Sequence, residues 1–224
     1  MQLAKLVCRN AFRHRLRASL TILAIAVAVL AFGLLRTIVA SWYAGVNASS
    51  ASRLVTRNSI SLVFSLPVSY TERIRSVPGV SGVSAGAWFG GIYVEPKNFI
   101  PNFAVQPKQY LELYPEYLLS PEEKKGFILD RTGCVVGRKT AQRFGWKVGD
   151  RITLKGTIYP GDWNMIVRGI YRGSDRTVDE TQLFFHWDYL NETLRRTVPR
   201  RADQAGFYVI GVTEPQVAGE VAAR

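Results

Sequence analysis

An uncharged apolar run from Leu20 to Leu35 constrains this 224-residue chain more than any other feature. Ser19 at one end and Arg36–Ala40 at the other extend the run to residues 19–40. An α-helix rises about 1.5 Å per residue, so about 20 residues cross the roughly 30 Å hydrocarbon core of a bilayer. The run has no polar face over this length, which disfavours a core helix of a soluble protein. The sequence therefore predicts one transmembrane helix over residues 19–40.

Basic residues before the run predict its orientation. The first acidic residue of the chain is Glu72, so no carboxylate offsets the positive charge near the run. An excess of Lys and Arg marks the cytoplasmic side of a membrane helix, and aromatic residues such as Trp42 and Tyr43 mark an interface. The N-terminus is therefore expected in the cytoplasm. Residues 1–18 are expected to form a basic amphipathic segment, with a stripe of residues spaced by four: Lys5, Arg9, Arg13 and Arg17.

A cleaved signal peptide is an alternative interpretation of the same segment. It also combines a basic start with an apolar centre, and Val39-Ala40-Ser41 has the small residues of a cleavage site. The apolar run exceeds the roughly 7–15 residues usual for the centre of a signal peptide. This length favours a permanent anchor over cleavage, and the intact mass of the product distinguishes the two.

Composition and charge narrow the class of protein. Hydrophobic residues make up 47% of the chain, an ordinary share for a globular protein, so most of the chain is expected outside the bilayer. The formal net charge of +12 is concentrated around the apolar run, which favours a membrane surface over nucleic acid. Cys8 and Cys134 lie on opposite sides of the run, so they are not expected to pair.

Residues 46–224 are predicted to form an extracytoplasmic domain of mixed α+β class with two small subdomains. In the first, about 55–95, the pattern predicts a strand over Ser59–Ser65, a helix over Val68–Ser76 and two further strands, 80–84 and 88–94. This β-α-β-β order is typical of a small sheet with helices on one face.

The second subdomain, about 96–212, contains clear helix signals. Ser120 and Glu123 have the spacing of a capping box for a helix over 120–130, and Gly145 is expected to end a helix over 138–144 in the left-handed conformation. The remaining predictions are a helix over 106–114, strands over 134–136, 151–155, 164–171, 182–186 and 207–212, and a last helix that begins at Pro215 and is cut short.

No pattern of an active site or metal site occurs in the sequence. Gly137-Arg138-Lys139-Thr140 is a poor match to a phosphate-binding loop because the lysine does not directly follow the glycine. His14 and His186 lack metal-ligand spacing, and no nucleophile motif is present. We therefore expect no enzyme and no catalytic, cofactor-binding or metal site. Four loop carboxylates are interpreted as solvated charge: Asp162, Asp175, Asp179 and Glu180.

Three regions together resemble the MacB/FtsX-type permeases of ABC transporters. The first is Arg9-Asn10-Ala11-Phe12-Arg13 leading into the apolar run, and the second is Val77-Pro78-Gly79-Val80 followed by Phe89-Gly90-Gly91. The third and most specific runs from Gly137 to Asp150, a helix, a glycine stop and a Gly-Asp turn, and is followed by Val167-Arg168-Gly169-Ile170-Tyr171.

The resemblance implies a non-catalytic membrane subunit in the bacterial cytoplasmic (inner) membrane that exports or extracts a substrate. Such permeases work as homo- or heterodimers with a separate or fused ATPase, sometimes with a periplasmic adaptor. Because this sequence has no ATPase motif, the ATPase is expected to be another chain. Permeases of this kind continue into further membrane helices, so we expect a truncated permease. The runner-up interpretation is a single-pass anchored module that binds a partner outside the cytoplasm.

Overall fold

The computed structural model describes residues 15–48, 52–60 and 64–223, which fall into two compact units divided after residue 49. The first unit contains one helix, α1, Arg15–Ala48. This helix is longer than the predicted span at both ends. Most of the predicted basic stripe and His14 lie outside the described residues, and the same holds for the side chains of Trp42 and Tyr43.

The second unit is a mixed sheet with helices on both faces. Its strands are β1 Arg53–Arg57, β2 Leu66–Pro67, β3 Val80–Trp88, β4 Gly91–Ile92, β5 Asn102–Val105, β6 Tyr117–Leu118, β7 Gly133–Gly137, β8 Arg151–Gly156, β9 Gly161–Gly173, β10 Leu183–His186, β11 Gln204–Ala205 and β12 Phe207–Val212. Its helices are α2 Tyr70–Arg75, α3 Pro107–Leu113, α4 Pro121–Leu129, α5 Arg138–Phe144, α6 Trp187–Thr197 and α7 Ala218–Ala222, with 3-10 turns at Pro199–Arg201 and Pro215–Val217.

Ten strands form one sheet, in the order β1-β12-β3-β5-β10-β7-β9-β8-β4, with β6 paired to β9. The β5–β10 and β7–β9 pairs are parallel and the others are antiparallel. Strands β2 and β11 form a separate two-stranded ribbon. Strands from before and after residue 95 pair within this one sheet. The division into two subdomains at that point stays a prediction. The predicted α+β class with one N-terminal apolar helix is confirmed.

The alternation of side chains along the central strands places a core on each face of the sheet. In β10, Leu183 and Phe185 belong to one cluster and Phe184 belongs to the other. Helix α6 covers the first face with Leu190 and Leu194, and α3 and α4 cover the second. A smaller cluster at the β1 end of the sheet combines residues of β3, β12 and α2: Val83, Tyr208, Ile210 and Ile74.

Several local predictions are confirmed. Ser120 caps α4, its side chain accepts from the backbone N–H of Glu123, and the Glu123 carboxylate accepts from the backbone N–H of Ser120. Gly145 ends α5 with φ of +71°, in the left-handed region that glycine adopts without steric cost. The last strand, Phe207–Val212, has the predicted bounds.

Two local predictions are wrong, and one helix was missed. The first strand lies at Arg53–Arg57, whereas residues 59, 60, 64 and 65 are not in a strand and residues 61–63 lie outside the described residues. The predicted strand over 80–84 is present and continues to Trp88, whereas the strand predicted over 88–94 is wrong, since only Gly91–Ile92 is a strand between Trp88 and Val94. Gly86 within β3 leaves room for the ring of Phe207, which a Cβ there would meet at 2.4 Å. Helix α6, Trp187–Thr197, was not predicted at all.

Candidate functional site

Helix α1 carries the strongest functional feature of the first unit. Among the described residues it is the one helix long and apolar enough to cross a membrane, over Leu16–Val39, 24 residues. No part of this segment is buried against protein, and Leu30 and Phe32 are each 67% exposed. A soluble core helix would be covered by other elements. The segment is therefore a candidate membrane span that needs an apolar environment.

The hydroxyl groups within this segment are satisfied on the helix itself. Ser19 Oγ donates to the carbonyl oxygen of Leu16 at 3.0 Å, and Thr21 Oγ1 donates to Arg17 at 2.9 Å. Thr37 Oγ1 donates to the carbonyl oxygen of Gly33 at 2.8 Å. Because lipid offers no hydrogen-bond partner, a spanning helix must satisfy its polar groups internally in this way.

Two of the carboxylates singled out from the sequence, Asp175 and Asp179, stabilise loops, whereas Asp162 lies in strand β9 and not in a loop as predicted. Asp175 accepts from the backbone N–H of Thr177, and Asp179 accepts from that of Thr181. The interpretation of Glu180 as solvated charge is wrong, since this residue is only 7% exposed. Its carboxylate accepts from Arg138 Nη2 at 2.8 Å and from the backbone N–H of Gly173 at 3.1 Å. Glu180 therefore fastens the start of α5 to the loop before β10.

The two remaining side chains that could take part in chemistry, His186 and Cys134, are buried. His186 ends β10, as predicted, and its Nε2 lies 2.5 Å from the carbonyl oxygen of Phe127. Burial lowers the pKa of this imidazole, which favours the neutral form. Burial likewise raises the pKa of the Cys134 thiol, which disfavours the reactive thiolate. The described part of the chain contains no cluster of side chains suited to a metal ion.

Arg53, the first residue of β1, makes an ion pair with several further contacts. Its guanidinium pairs with both carboxylate oxygens of Glu116, and Nη1 also donates to the carbonyl oxygen of Leu113 at 2.6 Å. It lies 4.2 Å from the centroid of the Tyr114 ring. The Arg53 side chain is 13% exposed, so this contact is largely protected from water. Sequence reasoning missed it because 63 positions separate Arg53 and Glu116.

A groove lies beside β1, which is an edge strand of the large sheet. It has a volume of about 690 Å³ and is lined mainly by apolar side chains from β1, α2, β12 and α7. Val55 is 62% exposed on this edge, and Arg57 and Arg73 add positive charge to the lining. An exposed edge strand offers unpaired backbone groups to a further strand, so this surface is suited to a protein partner.

The sequence also matches the family model of the MacB-like periplasmic core domain over residues 18–224. The chain belongs to this family. The match extends over nearly the whole sequence and includes the candidate span as well as the mixed α+β unit. It confirms the resemblance to these permeases and includes the Val77–Val80 and Gly137–Asp150 segments, whereas the basic start, Arg9–Arg13, precedes the matched residues. The comparison with curated proteins gives no match.

Solved structures share the fold of this MacB-like domain. The extracellular domain of the noncanonic ABC-type transporter YknZ from Gram-positive bacteria is 11% identical, with a TM-score of 0.50, over 75% of this chain and 86% of that one. The periplasmic region of MacB from Actinobacillus actinomycetemcomitans is also 11% identical, with a TM-score of 0.50, over 77% of this chain and 79% of that one. The likeness at this identity concerns the fold.

Proposed function

We propose that this chain is the permease subunit, or the N-terminal part of the permease subunit, of an ABC transporter that exports or extracts a substrate. The observation that carries this proposal is the family match over residues 18–224, which joins a candidate span to a MacB-like domain in one chain. The similar solved structures come from MacB and from an ABC-type transporter, which supports the same class of protein. A permease is a transport component and does not belong to an enzyme class.

The proposed location is the bacterial cytoplasmic membrane, with the N-terminus in the cytoplasm and residues 46–224 outside it. The acid-free basic stretch before the span supports this orientation. The mixed α+β domain has its own core on both faces of the sheet, so it needs no membrane contact to bury its apolar residues. The hydroxyl groups of Ser19, Thr21 and Thr37 are compatible with lipid.

A separate ATPase is the first partner of the proposed permease. The near-match to a phosphate-binding loop has a structural role, which supports a chain that leaves ATP to another subunit. Thr140 Oγ1 donates to the carbonyl oxygen of Thr181 at 2.6 Å, and Arg138 pairs with Glu180. These side chains hold α5 against the loop before β10 and are not free to bind phosphates.

A second permease copy or related permease, and a periplasmic adaptor, complete the proposed assembly. The edge of β1 and its apolar groove support a protein contact outside the membrane. The same groove favours the alternative function, a single-pass anchored module that binds a protein partner without driving transport. The two functions differ in whether a nucleotide-hydrolysing subunit is bound.

Purification of the tagged full chain from the membranes of its native host distinguishes them. We expect a P-loop ATPase to co-purify in a fixed ratio and to hydrolyse ATP in the complex. A matched control lacks residues 1–48, and we expect it to lose the ATPase while the remaining domain stays folded. A membrane-bound chain that carries only an extracytoplasmic partner would refute the permease function and support the anchored module.

A further inference from the structure

A cavity of about 640 Å³ lies where strand β9 changes its partner, away from the β1 groove. Strand β8 pairs with β9 up to Ile166, and β6 pairs with Arg172 and Gly173. Between these points the backbone N–H of Ile170 donates to the Glu123 carboxylate at 3.0 Å instead of to a strand. The side chain of Glu123 occupies this stretch of the β9 edge, and the cavity lies beside it.

One helix face and the segments around β6 and β9 line the cavity. Helix α5 and its glycine stop contribute Arg138, Ala141, Gln142 and Gly145, which helical spacing places on one face. Apolar surface comes from Leu118 of β6, from Leu119 directly after it and from Ile170 of β9, and Leu118 is 52% exposed. Cavities that bind small molecules have volumes of about 300–1,000 Å³ and a mainly apolar lining with a few polar groups.

The charge of the lining is strongly unbalanced. Glu123, its one carboxylate, already accepts two backbone N–H groups, and Arg138 is already paired with Glu180. Lys147 and Arg172 also line the cavity and have no carboxylate partner anywhere in the described part of the chain. Two exposed cations thus stand beside apolar side chains with no anion to neutralise them.

Trp146 also lines the cavity. Its indole packs against Phe144 and Tyr93, with ring centroids 5.1 and 4.8 Å away. The Nε1–H of this indole has no acceptor among residues 15–48, 52–60 and 64–223. This nitrogen is itself shielded from solvent, so Trp146 contributes an aromatic wall to the cavity and not a hydrogen-bond donor.

We propose that this cavity binds a small amphipathic anion, a carboxylate attached to an apolar chain. Arg172 and Lys147 would bind the carboxylate, and Leu118, Leu119 and Ile170 would contact the chain. Such a carboxylate is found in a short fatty acid and at the C-terminus of an apolar peptide. The inference does not depend on transport, because it concerns binding by the folded domain alone.

The test is calorimetric titration of the full chain in nanodiscs of phosphatidylcholine, with empty nanodiscs subtracted. The probes are octanoate and N-acetyl-Leu-Leu, which represent the two sources of the carboxylate, together with their neutral amides and with acetate. We expect saturable binding of at least one of the two acids, and the tighter acid identifies the source. We expect no binding of the amides or of acetate, because the site needs both the charge and the apolar chain.

Two pairs of substitutions separate specific binding from general attraction. The double variant Lys147→Gln and Arg172→Gln should lose about tenfold or more in affinity, since hydrogen bonds to a charged group are strong. The control double variant Lys155→Gln and Arg176→Gln removes the same charge from exposed positions outside the cavity and should retain affinity within about twofold. All four positions are exposed, so folding should be unaffected.

Three results would overturn the proposal. The first is that neither acid binds saturably, and the second is that an amide binds as tightly as its acid. The third is an equal loss of affinity in the two double variants. None of these results bears on the ATPase partner, so the proposed function and this inference fail independently.

Discussion

The substitution Arg53→Gln tests whether the ion pair at the start of β1 holds this edge strand in place. Strand β1 pairs with one neighbour in the sheet, β12. Side-chain contacts are therefore expected to contribute to holding this edge strand in place. Arg53 provides hydrogen bonds to Glu116 and Leu113 and packs against the Tyr114 ring. Glutamine keeps a polar side chain, but it is shorter and uncharged and cannot form these contacts. We expect the strand to open more often.

The expected magnitude follows from burial. Hydrogen bonds to a charged group contribute about 1.5–3 kcal/mol, and breaking a fully buried ion pair costs about 3–5 kcal/mol. The side chains of Arg53 and Glu116 are 13% and 23% exposed, so solvent screening reduces the upper value. We expect a loss of about 2–3 kcal/mol in the opening free energy of β1, which corresponds to about 30- to 160-fold faster amide exchange.

The assay is hydrogen–deuterium exchange with mass spectrometry on the full chain in nanodiscs, followed on peptides that contain residues 53–57. Arg57→Gln is the matched control, because Arg57 lies on the same strand, pairs with the same neighbour and is exposed. We expect the control to change exchange by about twofold at most. Exchange in Arg53→Gln within twofold of the wild type, or an equal acceleration in both variants, would refute the reasoning.

Two further substitutions test the α5 region by thermal unfolding. Hydrogen bonds from Arg138 and from the backbone of Gly173 lower the pKa of the Glu180 carboxyl from its usual 4.5. The ionised carboxylate therefore stabilises the fold at neutral pH, and this stabilisation is lost as the pH falls through the folded-state pKa. We therefore expect Glu180→Gln to lower the Tm at pH 7 and to reduce the further loss between pH 5 and pH 3; an unchanged pH profile would contradict this. We expect Gly145→Ala to cost about 1 kcal/mol, or about 2–4 °C in Tm, because φ is +71° while a Cβ there meets nothing within 4 Å, and Gly145→Asn to cost less. Equal losses for alanine and asparagine would show that the left-handed conformation is not the cause.

The features that could be predicted from sequence are those fixed by neighbouring residues. The capping box of Ser120 and Glu123 acts within one turn of helix, and Gly145 ends α5 through its own backbone conformation. The apolar run of α1 needs only its length and lack of charge to indicate a span. Each of these signals lies within a few positions of the structure it determines.

Helix α6 was missed although its sequence contains a usable signal. Trp187, Leu190, Asn191 and Leu194 are buried and follow helical spacing. The helix begins directly after β10, with His186 as the residue before it and no glycine or proline between the two elements. Because no residue marks the boundary between β10 and α6, the two elements could not be separated from sequence. The many polar residues of α6 also made its one buried face hard to recognise.

The position of β1 and the contact of Arg53 depend on distant parts of the chain. Residues 59–65 alternate more regularly than 53–57, but pairing with β12 selects the earlier segment. Glu116, the partner of Arg53, is 63 positions away, and no local pattern joins the two. The burial of Glu180 also depends on a distant part of the chain. The backbone of Gly137 lies so close to it that a Cβ on residue 137 would be 2.1 Å from the Glu180 carbonyl oxygen.

The central claim is that α1 anchors the chain with its N-terminus inside and its MacB-like domain outside the cytoplasmic membrane. Labelling with a membrane-impermeant maleimide in spheroplasts tests it, with native Cys8 as the inner reporter and Arg176→Cys as the outer one. Cys134 is buried and should stay unlabelled while the domain is folded. We predict that Arg176→Cys is labelled in intact spheroplasts, that Cys8 is labelled only after lysis, and that the purified chain has its full mass of 25.1 kDa. Labelling of Cys8 before lysis, protection of Arg176→Cys until lysis, or a mature chain that begins near Ser41 would contradict the account.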